Sequence, residues 1–442
     1  MRLSTEASQA AVAAIEEAYR SGPDARALPG WLDGPRGDAL AAFVRAGFPS
    51  PRAEEWKYTN LAELISSSAE RLTRGSGTVD PDRVVQLLNR IPRRTGDHTI
   101  VIANGRFEAG LSSLPDANDG IRISTLTDAS EADRTRYAAW LSEAARDGAS
   151  PFAALNAAFV QDAVIVDVGN DAHIANTLHV VFATDSATAH TQTRVLISAG
   201  QHSSANVIEH HVGEGDAWKN TTTDIECAES SRLTYVKLQD ESAQTDHIAA
   251  QEVRLAANSV FRSAQFDLGA RLSRNDLGVR LMGPGASAEM FGLFLADGHR
   301  HVDNQTRIDH EAGDATSLEH YRGIMNDRGR GVFNGKIIVH DGADGTDAQL
   351  NNRNLLLSRT AEIDTKPELE IYTDDVKCAH GATTGQLDEL AMFYLRARGI
   401  PARVAKHMLV IAFAREILQQ FDPAATELAD YVNATLERRL PE

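Results

Sequence analysis

Ala228-Glu-Ser-Ser-Arg-Leu-Thr-Tyr235, Ala256-Ala-Asn-Ser-Val-Phe-Arg-Ser263, Ala286-Ser-Ala-Glu-Met-Phe-Gly-Leu293 and Ala315-Thr-Ser-Leu-Glu-His-Tyr321 share one pattern, a small residue leading through polar positions into apolar ones. Ala343-Asp-Gly-Thr-Asp-Ala-Gln-Leu350 is a looser fifth copy. The opening alanines lie 28, 30, 29 and 28 residues apart. A near-constant period of that length marks a repeat architecture in which each unit leans on the next. The surrounding sequence is strand-rich: Ala163-Val-Ile-Val-Asp-Val168, Thr177-Leu-His-Val-Val-Phe182 and Thr193-Arg-Val-Leu-Ile197 are separated by Gly, Asn and Asp. No helix-period run is expected from about Pro151 to about residue 385. Strands that repeat without crossover helices point to a parallel β-solenoid. A sandwich or barrel stays open, although it would call for Asn-Gly or Asp-Gly hairpins where this chain has Ala-polar corners.

Outward from the repeats the pattern turns helical at both ends. Ala10 to Tyr19 and Asp38 to Ala46 read as helices, the second stopped by Gly47-Phe-Pro-Ser-Pro51. Glu54-Glu-Trp-Lys-Tyr-Thr-Asn60 reads as a surface helix that docks Trp56 and Tyr58 on a neighbour. Residues 97–107 form a strand that closes on the Asn104-Gly105 turn. After Gly385, Leu387, Leu390, Phe393 and Tyr394 share one helix face, and Val404, Met408, Ile411, Phe413 and Ile417 another, with Gly399-Ile-Pro401 as the break. Asp422-Pro423 caps a third helix whose stripe of Leu428, Tyr431, Val432, Leu436 and Leu440 must pack on its own helices or on a partner. The expected units are an N-terminal helical domain with a short strand pair (1–150), a β-solenoid core (151–384) and a C-terminal helical domain (385–442).

Composition narrows the classes of function. The chain has 442 residues, 42% hydrophobic and 24% charged, in the range of folded globular proteins and long enough for more than one unit. Its formal net charge of -18 repels polyanions, so a nucleic-acid surface is not expected. Arg415 and Glu416 interrupt the apolar stretch near Met408, and MRLSTEASQAAVAAIEEAYR lacks the plan of a secretory leader. A cytoplasmic protein with no membrane span and reduced thiols at Cys227 and Cys378 is the expectation.

The densest polar constellation is Ile371-Tyr-Thr-Asp-Asp-Val-Lys-Cys-Ala-His-Gly-Ala-Thr-Thr-Gly-Gln-Leu-Asp388. If Val376 to His380 is extended, Cys378 and His380 project on one face. A thiolate beside an imidazole binds a soft metal or attacks as a nucleophile with its base, and either use needs a lowered thiol pKa. A buried thiol beside a hydrogen-bonded histidine is the plain alternative. Cys227 is the one other cysteine, so the chain cannot complete a thiolate cage alone. His299, His301 and Asp303 form a second candidate, since two histidines and a carboxylate at alternate strand positions can hold iron or zinc. His210-His211 is weaker, because adjacent strand residues face opposite sides. Gly329-Arg-Gly-Val-Phe-Asn-Gly-Lys336 fails the phosphate-loop pattern at Arg330 and Ile337 and reads as a turn, and no G-x-S-x-G elbow occurs.

Pro367 to Asp388 resembles the SufB/SufD family of iron–sulfur cluster assembly proteins, on its SufD side. The resemblance extends through Asn352-Arg-Asn-Leu-Leu-Leu-Ser358, Val332-Phe-Asn-Gly-Lys336, Val302-Asp-Asn-Gln-Thr-Arg-Ile-Asp-His310, Asn206-Val-Ile-Glu-His-His-Val212, Phe393-Tyr-Leu-Arg-Ala-Arg-Gly-Ile400 and Glu54-Glu-Trp-Lys-Tyr58. SufB chains typically carry more cysteines and a His-Glu-Ala-Thr-Thr type segment where this chain has Cys378-Ala-His-Gly-Ala-Thr-Thr384. Ala379, where Ser is usual, is a mild departure.

The resemblance implies a right-handed parallel β-helix between helical ends and a non-catalytic scaffold in a complex with SufB and the ATPase SufC. It implies a transient iron–sulfur cluster at the SufB interface, with the residue matching His380 tied to that site and Cys378 beside it. It also implies SufC docking on the C-terminal helices, where Leu428, Tyr431, Val432 and Leu436 are the candidate contacts. A homodimer and a reduced flavin in the assembled complex are compatible with it, though no residue here assigns either. Two readings from other classes stand beside it: a stand-alone solenoid enzyme with Cys378 as nucleophile and His380 as base, and a metal sensor built on His299, His301 and Asp303.

Overall fold

The computed structural model describes the chain except residues 1–4, 22–27, 51, 117–118, 147, 186–189, 422–425 and 441–442, so the expected Asp422-Pro423 cap lies outside the described residues. The repeat closes into a parallel β-solenoid of about eight turns. Each turn gives one strand to a ten-stranded sheet and one to a nine-stranded sheet. In the first sheet Arg232–Glu241, Val260–Asp267, Ser287–Ala296, Thr316–Met325, Thr346–Leu356 and Val376–Gly385 pair in sequence, all parallel. The five alanine blocks are the corners and first residues of five of these strands. Left-handed backbone recurs once per turn at these corners, at His202, Ser230, Asn258, Gly285, Asp314 and Gly345. Small and polar residues tolerate that conformation best, which is why the repeat is legible there. At Gly285 a Cβ would come within 2.5 Å of the Asn258 side chain of the preceding turn.

Alternate strand residues face the interior. Leu233, Phe261, Ala288 and Ala348 stack there with Ile225, Val253 and Val279 of the facing sheet. The sheets begin early in the chain: His98–Ala103 pairs in parallel with Leu178–Thr184, and Ile121–Thr125 pairs antiparallel with Asp162–Val168. The Asn104-Gly105 turn forms as expected, with positive φ at both residues and Ala103 opposite Arg106.

Helices cover the outer faces. The N-terminal unit packs Phe43, Trp56, Tyr137, Trp140 and Phe152 against Ile165, Trp218 and Ile248 of the second sheet. The helix Pro151–Ala158 belongs to this layer, a correction to the expectation of strands from Pro151 onward. It is eight residues long and buried on nearly all sides, so it shows no helical periodicity to find. Glu54–Asn60 is likewise not a helix but a single 3-10 turn, Glu54–Trp56. It is fastened by Arg274, whose Cζ lies 3.9 Å from the Trp56 ring centre and whose Nη1 donates to Glu55 O at 2.6 Å. Gly329 to Lys336 is mostly the strand Arg330–Val339 rather than a turn.

The C-terminal helices are Glu389–Ala397, Ala402–Gln420 and Thr426–Arg439. Here the structure corrects the expected open stripe on the last helix. Leu428, Val432, Leu436 and Leu440 are buried against Val410, Ile411, Ala414 and Ile417 of the preceding helix and Val236, Phe266 and Leu293 of the first sheet. Tyr431 is partly buried, and its hydroxyl donates to Asp240 at 2.8 Å. The stripe completes the core because the outer face of that sheet is itself apolar. Leu436→Ala should therefore lower unfolding stability by about 2–5 kcal/mol in chemical denaturation. A loss below about 0.5 kcal/mol, as surface changes give, would contradict this burial.

Candidate functional site

The strands Glu362–Ile371 and Val376–Gly385 end their sheets, each paired on one side only, to Arg330–Val339 and to Thr346–Leu356. Interior strands are largely buried, whereas every residue of these two is partly or fully exposed. The solenoid therefore ends in an open turn with unpaired backbone groups along two strand edges. Lys366, Pro367 and Lys377 lie on those strands, and charges and proline are what blunt an edge against indiscriminate pairing.

The register places the candidate pair. Cys378 lies over Ala348 and His380 over Leu350, both interior residues, so the two side chains share the interior-facing side as their spacing predicts. Cys378 is half-buried and packs on the core. His380 is exposed, since no further turn covers it. Among the described residues no hydrogen bond joins the two. Burial pushes the Cys378 thiol up from its ordinary range, opposed by the Ala348 backbone and reinforced by Asp347. That is the reverse of what an activated nucleophile needs, and nothing here favours the stand-alone enzyme. Cys227 is inert: it is buried in the interior, where desolvation pushes its thiol up to about 12.

The second candidate is not assembled as its spacing suggested. His299 sits in the turn before the strand His301–His310, out of alternation with it. Asp303 is taken by Arg274 Nη1 at 2.6 Å and Gln305 Nε2 at 2.7 Å, and His301 Nε2 lies 2.9 Å from Thr59 Oγ1. These residues fasten the N-terminal segment to the second sheet. Burial drives His301 down to about 4, so it stays neutral there. Among the described residues, the group that could hold a metal is instead His211, Glu241 and His247, inside the solenoid. Spacing could not reveal it, because the register of three strands brings these residues together.

Near the open turn, the helix Glu389–Ala397 exposes Leu390 (74%), Phe393 (69%) and Tyr394, and the next helix adds Val404 and Met408. Asp388 caps the first of these helices by accepting from the Leu390 backbone N–H at 2.8 Å. The exposed apolar face thus lies on the first two C-terminal helices and not on the last, where the docking contacts were expected. Among the described residues no helix is long and apolar enough to cross a membrane.

Comparison with known proteins agrees with this architecture. The family model described as "SUF system FeS cluster assembly, SufBD core domain" matches residues 181–413, and "SufBD protein N-terminal region" matches residues 26–180. The chain is 31% identical over 410 residues to the iron-sulfur cluster assembly protein SufD of Escherichia coli, covering 91% of this chain and 92% of that one. It is 30% identical over 393 residues to an iron-sulfur cluster assembly SufBD family protein of Synechocystis, covering 86% and 85%. SufD of Bacillus subtilis is 24% identical over 418 residues, covering 92% and 93%. The chain belongs to the SufBD family of SUF-system iron–sulfur cluster assembly proteins.

Proposed function

We propose that this chain is a non-catalytic scaffold subunit that builds a transient iron–sulfur cluster at its open solenoid end, together with a SufB partner. One observation carries the reading: the last turn leaves two strand edges unpaired and presents Cys378 and His380 on its interior side. A second chain of the same fold can satisfy those edges by continuing the sheets, and the same act would bring its ligands over His380. One imidazole and one thiol are too few for a cluster, so sharing across the interface supplies the rest. A second copy of this chain fits the same edges, and would place two His380 side chains rather than a mixed ligand set at the joint. No residue here marks a flavin site, and the scaffold works in a reducing, cytoplasmic setting that keeps both thiols free.

SufC docking belongs to the C-terminal helices. With Leu428, Val432 and Leu436 committed to the core, the docking contacts are Leu390, Phe393, Tyr394, Val404 and Met408, and Tyr431 remains at the margin of that unit. An ATP-driven partner bound there sits just beyond Gly385, where the last strand ends, and can act on the open turn through it.

His380→Ala in the complex with SufB and SufC should leave subunit stoichiometry unchanged and reduce recovered iron about tenfold or more, because a ligand is lost without a core cavity. Full iron content would remove His380 from the site. Leu390→Asp with Phe393→Asp should weaken SufC binding by roughly two orders of magnitude in titration calorimetry, with the melting temperature of the free chain unaltered. Normal affinity would move the docking face elsewhere. In the free chain, iodoacetamide should label Cys378 slowly at about pH 7 and faster as pH rises beyond the ordinary thiol range. Fast labelling at neutral pH would restore the activated-thiol reading.

A further inference from the structure

The solenoid interior is not uniformly apolar. Midway along it, interior positions of four strands, Ser204–Gly213, Trp218–Cys227, Arg232–Glu241 and Asp246–Leu255, carry Glu209, His211, Lys219, Lys237, Glu241 and His247, all buried. One ligand atom each from His211, Glu241 and His247 lies within 4.8 Å of the other two. His211 is oriented as a ligand. Its Nε2 lies 2.6 Å from Glu209 Oε1, and Glu209 is itself held by Thr223 Oγ1 and Tyr235 OH, both at 2.8 Å. A carboxylate that accepts a hydrogen bond from Nε2–H leaves the lone pair on Nδ1, and that Nδ1 is buried with no hydrogen-bond partner. Metal-bound histidines are fixed by this kind of carboxylate.

Further polar groups surround the three residues. Glu241 lies 2.6 Å from Lys219 Nζ, and Lys237 Nζ lies 3.0 Å from His247 Nε2 and 3.8 Å from Asp267. Two lysines and three carboxyl groups, those of Glu209, Glu241 and Asp267, thus line this stretch of the interior. His247 Nδ1 stands 3.0 Å from Glu241 Oε2 and, like His211 Nδ1, is buried without a hydrogen-bond partner.

We propose that His211, Glu241 and His247 bind one divalent transition-metal ion inside the solenoid, separate from the open turn. Two imidazoles and a carboxylate suit zinc or ferrous iron rather than magnesium or calcium, which take oxygen ligands, and three protein ligands leave one position for water. The site is enclosed by the surrounding turns, so the ion is taken up as they assemble and held against exchange.

The test uses the untagged full-length chain, refolded from denaturant with excess Zn2+ or Co2+ and then desalted. Elemental analysis should find about one equivalent retained, and the Co2+ form should show the strong visible absorption of a low-coordinate site. His211→Gln and His247→Gln should lose both signals, and His380→Ala should keep them. If the glutamine variants do not refold, the parent chain decides alone. Retention of well under one equivalent by the parent chain, or unaltered retention in His211→Gln, would overturn the site and leave a closed hydrogen-bond network in its place.

Discussion

Every turn of this molecule depends on the turn beside it, because a solenoid strand finds partners for its backbone N–H and C=O groups only on its two neighbours. That requirement is met on both sides along the stack and on one side only where each sheet ends. At one end stand the strands Arg106–Phe107 and Ile121–Thr125, paired antiparallel with His98–Ala103 and Asp162–Val168. At the other end stand Glu362–Ile371 and Val376–Gly385, and among the described residues no segment returns to pair with their outer edges. The residues that carry the functional reading are on those strands. In the proposed reading function and the open strand edges share a location, and a partner that continues the sheets would also complete the site.

The covering layers close the flanks of the stack. The N-terminal unit is anchored by Arg274, which bonds Asp303 and Asp276 while its guanidinium stacks on Trp56. The last two helices seal the apolar outer face of the first sheet over Val236, Phe266 and Leu293. The helix Glu389–Ala397 has no such bed: none of its residues is buried. It packs on the helix Ala402–Gln420 and leaves Leu390, Phe393 and Tyr394 in the open, an apolar face of the kind that marks an interaction surface.

The sequence showed the fold where physics repeats locally. Each corner needs a left-handed residue and each strand an alternation, so the period near 29 residues surfaced without knowledge of the pairing. The shared face of Cys378 and His380 followed from the two-residue period of a strand. What failed was any question of which neighbour covers a surface. The stripe Leu428, Val432, Leu436 and the exposed group Leu390, Phe393, Tyr394 look alike in sequence, and only tertiary packing sends one inward and leaves the other out. His299, His301 and Asp303 have ligand spacing, yet Arg274, a full turn earlier, claims the carboxylate. His211, Glu241 and His247 show the reverse case, since they meet only through the register of neighbouring turns.

Hydrogen–deuterium exchange of the backbone amides in residues 362–385, compared between the free chain and its complex with SufB, tests the central claim most directly. The account predicts fast exchange along both edge strands in the free chain and strong protection of both in the complex, with the interior turns unaltered. Edge amides that exchange equally fast in the assembled complex would contradict it.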